Sequence, residues 1–104
     1  MPAAENVIEY TARLVRATRP SRGGDGIPFV SKWVRWGAGP RAGQALLLGA
    51  KACALLEGRS VVSLDDVRAV ALPVLRHRVL LNFQAEADEM DTDAIVRQLL
   101  EQIR

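Results

Sequence analysis

The fold of this chain is decided by its central stretch, residues 37–58, which reads GAGPRAGQALLLGAKACALLEG. The glycine-rich turn at its start ends in Pro40, a residue suited to the first position of a helix, and Gly58 is the residue type expected just after a helix ends. The residues between them are small or apolar on nearly every side. This pattern, apolar nearly all round, predicts the central and most buried helix of the fold.

Three more helices are predicted around the central one. Apolar residues recur at helical spacing over residues 4–18, with acidic residues early and basic residues late, as the helix dipole favours. Residues 20–28 are rich in glycine and proline and predict a surface loop. Ser63 is placed to cap the next helix, in which Pro73 should cause a kink or a new start. Asp91 is placed to cap the last helix.

The remaining stretches predict little regular structure. Trp33 and Trp36 would share one face at helical spacing and fill the core against the central helix. Residues 79–83 are apolar and favour extended backbone, and we expect a strand-like connection beside residues 61–62. The acidic residues 86–93 read as a solvated linker. The fold class is therefore all-α, a small bundle-like arrangement of four helices with room for one short strand pair.

The length and composition of the chain fit a single cytoplasmic domain over residues 1–104. Apolar residues make up 49% and charged residues 25%, which is typical of a soluble globular domain. No apolar run reaches the length of about 20 residues that a bilayer span needs, and the first residues do not resemble a signal peptide. Cys53 is the single cysteine and reads as a small buried hydrophobe.

Charge is unevenly distributed along the chain, although the net charge is only +2. Residues 1–59 hold nine basic and four acidic residues, whereas residues 60–104 hold five basic and eight acidic ones. Twelve of the fourteen basic residues are arginine, which suits two-point contacts to phosphate or carboxylate. This composition is compatible with a nucleotide, a nucleic acid or an acidic partner protein, and it does not choose among them.

Arg41 breaks a local rule of helix formation. It is predicted at the second position of the central helix, where the helix dipole disfavours a cation by about 0.3–1 kcal/mol. A helix N-terminus combined with a guanidinium is the arrangement expected of a phosphate receptor, and the preceding glycines let a ligand approach the backbone. An arginine on the surface or in an ion pair is the alternative that spacing alone leaves open.

Four sequence blocks, in order, resemble one known family. The block WGAGPRAGQALLLGAKACALLEGR, from Trp36, looks like the segment of MoxR-type AAA+ ATPases that is marked by Gly-Ala-Ser-Pro-Arg-Ala. The other three blocks are YTARLVRATR from Tyr10, VSLDDV from Val62 and VLRHRV from Val74. Together they span about residues 7–104, and their order is more specific than any single block. The chain is similar to the C-terminal helical lid of these ATPases.

The resemblance implies a role in nucleotide sensing for Arg41 and its neighbours. Arg41 matches the family's sensor-two arginine, which projects from the lid toward the γ-phosphate of ATP and reports hydrolysis by moving the lid. Gly39 and Pro40 would support the helix N-terminus, although Gly39 stands where the family often has serine and would be a slightly weaker cap. Tyr10 would lie near the nucleotide, with core packing as the alternative.

The resemblance also implies a cofactor and partners. ATP would be held mainly by the large AAA+ domain of the same protein, together with Mg²⁺, and the lid alone would bind neither tightly. Members of the family form hexameric rings and act with von Willebrand factor A-type partner proteins in maturing or remodelling other proteins. No nucleic acid and no membrane span are expected.

The chain lacks the residues that hold and cleave ATP. A phosphate-binding loop needs Gly-x-x-x-x-Gly-Lys-Ser/Thr, and the nearest match, residues 43–51, has the wrong spacing and lies inside a predicted helix. His77 is the only histidine, so neither a metal site nor Cys-His catalysis is expected, and the His77-Arg78 pair reads as structural. The chain alone should not hydrolyse ATP, whereas the intact protein should be an ATPase.

Two other functions remain open from the sequence. One is a small basic helical module that binds nucleic acid, but the basic residues are scattered over several helices and the second half is acidic. The other is a structural adaptor or protein-interaction module, in which Arg41 would pair with a nearby acid.

Overall fold

Six helices and two short strands follow one another in the described part of the computed structural model, residues 4–20, 27–39 and 41–103. In order they are α1 (Glu5–Ala17), α2 (Pro28–Trp33), β1 (Val34–Trp36), α3 (Ala42–Leu56), α4 (Leu64–Arg76), β2 (Leu80–Leu81), α5 (Phe83–Ala87) and α6 (Thr92–Gln102). The predicted fold class, helical with one short strand pair, is confirmed, while most of the predicted loop 20–28 lies outside the described residues. No helix in these ranges has the length and apolar character needed to cross a bilayer.

The core lies where the apolar stripes of α1, α3, α4 and α6 meet. α3 packs most extensively on α4, α4 also packs on α6, and α1 packs on α3. α3 and α4 lie close together at Gly49, where a Cβ would be in contact with the side chain of Val70 at 3.4 Å. Fully buried large side chains include Leu14, Leu46, Leu75, Ile95 and Leu99. Burying each of them contributes about 1.5–3 kcal/mol, so the four longer helices supply most of the stability of the fold.

Several helix boundaries follow capping residues that the sequence predicts. Ser63 accepts a hydrogen bond from the backbone N–H of Asp66, and the Asp66 carboxylate accepts one from the N–H of Ser63, which makes a capping box at the start of α4. Asp91 caps α6 by accepting from a first-turn N–H at 2.8 Å. Gly58 follows α3 with a φ of 74°, in the left-handed region that favours glycine. α4 continues without a break through Pro73, so the helix does not restart there. The side chain of Pro73 is exposed.

The predictions for the short segments are partly wrong. β2 pairs with β1, a pairing that the sequence does not predict, with Leu81 opposite Val34 and Leu80 opposite Trp36. Val62 forms a separate β-bridge. α2 ends at Trp33, because residues 34–36 are extended and pair with β2. Trp33 therefore packs against the core as predicted, whereas Trp36 is 61% exposed.

The acidic stretch 86–93 is solvated, but it is more ordered than a linker. α5 ends within it, and Asp88 accepts a hydrogen bond from Nε1 of Trp33 at 2.8 Å. Asp93 forms an ion pair with Arg76 at 2.8 Å. These acidic side chains bind the ends of neighbouring helices to one another.

α3 is less buried than the sequence predicts, because one of its sides faces outward. Its buried stripe consists of Ala42, Leu46, Ala50 and Ala54. On the other side, the leucines at positions 48, 55 and 56 are 71%, 64% and 89% exposed. The helices that pack on α3 cover one side of it, so its opposite apolar side faces outward. We call Leu48, Leu55 and Leu56 the outer leucines of α3.

Candidate functional site

The predicted site centres on the loop that joins β1 to α3, which contains residues 37–39 and Arg41. This loop crosses the C-terminal end of α1. Gly37 lies so close to α1 that a Cβ there would come within 3.0 Å of Oγ1 of Thr18 and 3.1 Å of Cα of Arg19. Glycine is needed at this position because a side chain would push the loop away from α1.

Thr18 ties the loop to α1 through a fully buried side chain. Its hydroxyl donates a hydrogen bond to the carbonyl oxygen of Val15 at 2.6 Å, and its oxygen accepts one from the N–H of Ala38 at 3.0 Å. Ala38 is itself buried. A buried N–H without an acceptor is costly, so Thr18 satisfies this amide and also fixes the position of the loop.

The loop reverses at Gly39 and leads into α3 through Arg41. Gly39 has a φ of 85°, in the left-handed region, and its carbonyl oxygen accepts from the N–H of Ala42 at 3.2 Å. α3 begins at Ala42, so Arg41 occupies the N-cap position instead of the predicted second position, and Gly39 is a turn residue instead of the cap. Backbone geometry therefore favours glycine where the family often has serine. Pro40, the other predicted supporting residue, lies outside the described residues.

The side chain of Arg41 is exposed and has no hydrogen-bond or ion-pair partner in the part of the chain that the structure describes. By contrast, Arg59 pairs with Asp66 and Arg76 with Asp93. The adaptor alternative requires an acid beside Arg41, and no described carboxylate takes that position. No side chain caps the start of α3 either, because a guanidinium has no hydrogen-bond acceptor. The positive charge of Arg41 and the positive end of the α3 dipole therefore add to each other at one exposed position.

Arg41 lies on the same side of α3 as the outer leucines. Residues seven positions apart on a helix fall on nearly the same side, and Arg41, Leu48 and Leu55 follow this spacing. All three are exposed. A protein domain that covers this side of α3 would therefore contact the outer leucines and also approach the guanidinium of Arg41.

Comparison with known proteins identifies the family of the chain. The family model described as AAA lid domain matches residues 30–99. This chain is an AAA lid domain.

Relatives of the lid are of the MoxR type. The lid is 36% identical over 93% of its length to Chaperone MoxR1 of Mycobacterium tuberculosis, and 42% identical over 68% of its length to Protein MoxR of Paracoccus denitrificans. A crystal structure of a candidate ATPase from Cytophaga hutchinsonii matches 98% of the lid with a TM-score of 0.88 and 33% identity. The lid spans 26%, 20% and 31% of these three chains, respectively. The predicted membership among lids of MoxR-type AAA+ ATPases is confirmed.

Tyr10 of the lid is buried, and its hydroxyl binds the end of α6. The hydroxyl donates to the carbonyl oxygen of Ile103 at 2.8 Å and accepts from Nη1 of Arg68 at 2.9 Å. Arg68 also donates to the carbonyl oxygens of Leu100 and Ile103, where the helix dipole favours a cation. These contacts give Tyr10 a structural role, and its position near the nucleotide stays a prediction.

A second charged cluster joins the end of α3 to the start of α4. The guanidinium of Arg59 pairs with Glu57 at 2.6 Å and with Asp66, whose side chain is almost fully buried. Arg59, together with hydrogen bonds from Ser63, holds the pKa of the Asp66 carboxyl well below its usual range. The charge of Arg59 is satisfied within the lid by two carboxylates, so we interpret the cluster as structural.

Cys53 and His77 lie on different elements, Cys53 within α3 and His77 at the C-terminal end of α4. Cys53 is half-buried, and this burial, assisted by the carboxylates of Glu57 and Asp66, raises the pKa of its thiol. A thiol that stays protonated is a poor nucleophile. His77 and Arg78 are exposed just after α4, and no three metal-ligating side chains form a cluster within the described ranges.

Sequence reasoning does not single out Thr18 or Arg68. Thr18 carried a signal, because it continues the buried stripe of α1 that includes Leu14 and Thr11, and a polar residue on such a stripe implies a buried hydrogen bond. Arg68 carried no such signal, since its acceptors lie more than thirty residues away on α6.

Proposed function

We propose that this lid belongs to a MoxR-type AAA+ ATPase in which Arg41 binds the γ-phosphate of ATP and reports its hydrolysis. The observation that carries the proposal is the exposed guanidinium of Arg41, which lies at the N-cap of α3 without a partner in the described ranges. Membership of the AAA lid domain family supports it, because such a lid works beside a nucleotide-binding domain.

In the proposed mechanism, the large AAA+ domain of the same protein holds ATP and Mg²⁺, and the lid faces this nucleotide with Arg41. A guanidinium forms two charge-assisted hydrogen bonds to a phosphate, and the N-terminal end of α3 adds a favourable dipole. Release of the γ-phosphate removes this contact, so the equilibrium between lid positions changes. Arg41 thereby couples the state of the nucleotide to the position of the lid. The lid alone supplies no phosphate-binding loop and is expected not to hydrolyse ATP.

The outer leucines of α3 are part of the same proposal. They lie on the side of α3 that carries Arg41, so the domain that presents the nucleotide would also cover them. Burying a leucine is worth about 1.5–3 kcal/mol, which favours a stable contact with the large AAA+ domain or with a neighbour in a hexameric ring. Partner proteins of the von Willebrand factor A type, remodelling of other proteins and a cytoplasmic location complete the proposed setting.

The test is the ATPase activity of the full-length protein with Arg41→Ala. Turnover should fall by at least about tenfold, because a contact to the transferred phosphate is lost at the step in which its charge changes. The melting temperature should stay within about 2 °C of wild type, because an exposed, unpaired side chain contributes little to stability. Arg41→Lys keeps the charge without the two-point geometry and should recover part of the activity.

The matched control is Arg13→Ala, which removes an exposed arginine from α1. This variant should hydrolyse ATP at the wild-type rate, so a loss in both variants would indicate a general charge effect. Wild-type turnover in the Arg41→Ala protein would refute the sensor role. Tight, submicromolar ATP binding by the lid alone, measured by calorimetry, would also contradict the proposal that another domain holds the nucleotide.

A further inference from the structure

Thr18 joins α1 to the loop that carries Arg41 by hydrogen bonds on both sides. We propose that Thr18 is a positioning residue for Arg41: its hydroxyl fixes the loop, and through the loop it sets the direction of the guanidinium. This inference rests on the proposed function of Arg41 as a phosphate sensor. Thr18 is fully buried, so it acts through Arg41 and does not itself touch ATP.

The path from Thr18 to Arg41 is short. Thr18 binds the N–H of Ala38, three residues before Arg41, and Gly37 lies directly against the same end of α1. Gly39 lies between Ala38 and Arg41 and reverses the loop with a φ of 85°. Two neighbouring positions of the loop are therefore held against α1, and the reversal at Gly39 passes this constraint to Arg41.

The position requires a hydroxyl group that donates and accepts at once. The Thr18 hydroxyl donates to Val15 and accepts from Ala38, so an isosteric valine would leave the buried Ala38 N–H without an acceptor. That amide could find water only if the loop left α1. Serine keeps both hydrogen bonds and loses one methyl group, so Thr18→Ser separates the effect of the hydroxyl from that of the packing.

Freeing the loop should change catalysis more than ATP binding. A guanidinium that samples several directions contacts the γ-phosphate for a smaller part of the time, and small errors in position are costly in the transition state. The large domain supplies most of the binding contacts in the proposed function, so the KM for ATP should change by less than about threefold. We expect kcat of Thr18→Val to fall about tenfold.

The experiment compares Thr18→Val, Thr18→Ser and Thr11→Val in the full-length protein. Thr11 is a matched control, because its buried hydroxyl donates to the Val7 carbonyl oxygen at 2.8 Å on the same helix but does not contact the loop. Thr18→Val should lower the melting temperature more than Thr11→Val, because it leaves the buried N–H of Ala38 without an acceptor. Only Thr18→Val should lower kcat. Thr18→Ser should restore kcat to within about twofold of wild type, since it keeps the acceptor.

A double variant tests whether Thr18 acts through Arg41. In the Arg41→Ala background, Thr18→Val should cause no further loss of kcat, because the residue that it positions is already gone. A further tenfold loss there would show that Thr18 acts independently of Arg41, and it would overturn the inference. Equal loss of kcat in Thr18→Val and Thr11→Val would overturn it as well.

The single variants distinguish this inference from the proposed function. If Arg41→Ala loses turnover while Thr18→Val keeps it, the positioning role is wrong and the sensor role stands. If Arg41→Ala keeps turnover, both fail. Should Thr18→Val not fold, Gly37→Ala gives a second route, because its Cβ would push the loop from α1 while the core is left intact. This variant should show the same fall in kcat, and wild-type kcat in folded Gly37→Ala would refute the role of the loop position.

Discussion

At the scale of single residues, two arginines of the lid have opposite surroundings. Arg59 is paired with Glu57 and Asp66, and its charge is neutralised within the domain. Arg41 has no such partner in the described ranges and lies where a helix dipole adds to its positive potential. An arginine that is already paired gains little from an external anion, whereas an unpaired one gains charge-assisted hydrogen bonds. The difference in surroundings separates a structural arginine from a candidate sensor.

Asp66→Asn should make the stability of the lid less dependent on pH. Near pH 7 the variant should lose about 1.5–3 kcal/mol in the free energy of unfolding, because hydrogen bonds to a charged group are weakened. The pKa of Asp66 is lower in the folded chain than in the unfolded one, so its contribution is complete above the unfolded value of about 4. It is lost as the pH falls through the folded value. Urea unfolding between pH 7 and pH 2 should show the gap between wild type and variant closing below about pH 4.

The control for Asp66→Asn is Asp65→Asn, the exposed neighbouring position on α4. It should change the free energy of unfolding by less than about 0.5 kcal/mol. A gap between wild type and Asp66→Asn that stayed constant down to pH 2 would contradict the ionised pair with Arg59.

Gly39→Ala and Gly43→Ala should change stability in opposite directions. A Cβ at either position would meet no atom within 4 Å, so only the backbone conformation distinguishes them. Gly39 has a left-handed φ, and alanine there should cost about 1–2 kcal/mol. Gly43 lies in α3, where alanine should add up to about 1 kcal/mol. Thermal unfolding of the two variants measures both values, and a shift of the same sign in both would contradict the assigned backbone at Gly39.

At the scale of elements, α3 combines a core face and an outward apolar face in one helix. Leu46 is fully buried, while Leu48, two residues later, is 71% exposed. The sequence predicts the helix well but not its burial, because burial depends on which neighbours exist in space. The same limit applies to β2, whose partner β1 is more than forty residues away in the chain.

Caps and helix ends are predictable because they depend on neighbouring residues. Ser63, Asp91 and Gly58 lie at the boundaries that their side chains or backbone angles favour, and each acts within a few residues. Trp36 shows where this reasoning stops. The three-residue spacing of Trp33 and Trp36 fits one continuous helix, but it also fits a helix that ends at Trp33 and is followed by a strand. Only the pairing of β1 with β2 distinguishes these two structures.

Leu46→Ala and Leu48→Ala should separate the two faces of α3. In this chain, Leu46→Ala should cost about 2–5 kcal/mol, since it leaves a cavity in the core. Leu48→Ala should change the free energy of unfolding by less than about 0.5 kcal/mol. Urea unfolding gives both values. In the full-length protein, Leu48→Glu should lower ATP turnover although the lid remains folded, and unchanged turnover would mean that no domain covers this face during the cycle.

At the scale of the whole molecule, the order of four sequence blocks predicts the family, and the family match over residues 30–99 confirms it. The candidate site was predictable as far as Arg41, because its unusual place at a helix start is a local feature. Its support was not predictable, since the hydrogen bond from Ala38 to Thr18 spans twenty residues and that from Tyr10 to Ile103 spans ninety-three. Contacts of this range follow from the packing of helices and not from any short pattern.

The hydrogen bond between Tyr10 and Ile103 has a mechanical consequence. It fastens the middle of α1 to the end of α6, while Thr18 fastens the C-terminal end of α1 to the loop before α3. A torque applied to α1 is therefore transmitted to both of these elements at once. If the lid moves as proposed, we therefore expect the domain to turn as one rigid body that carries Arg41 with it.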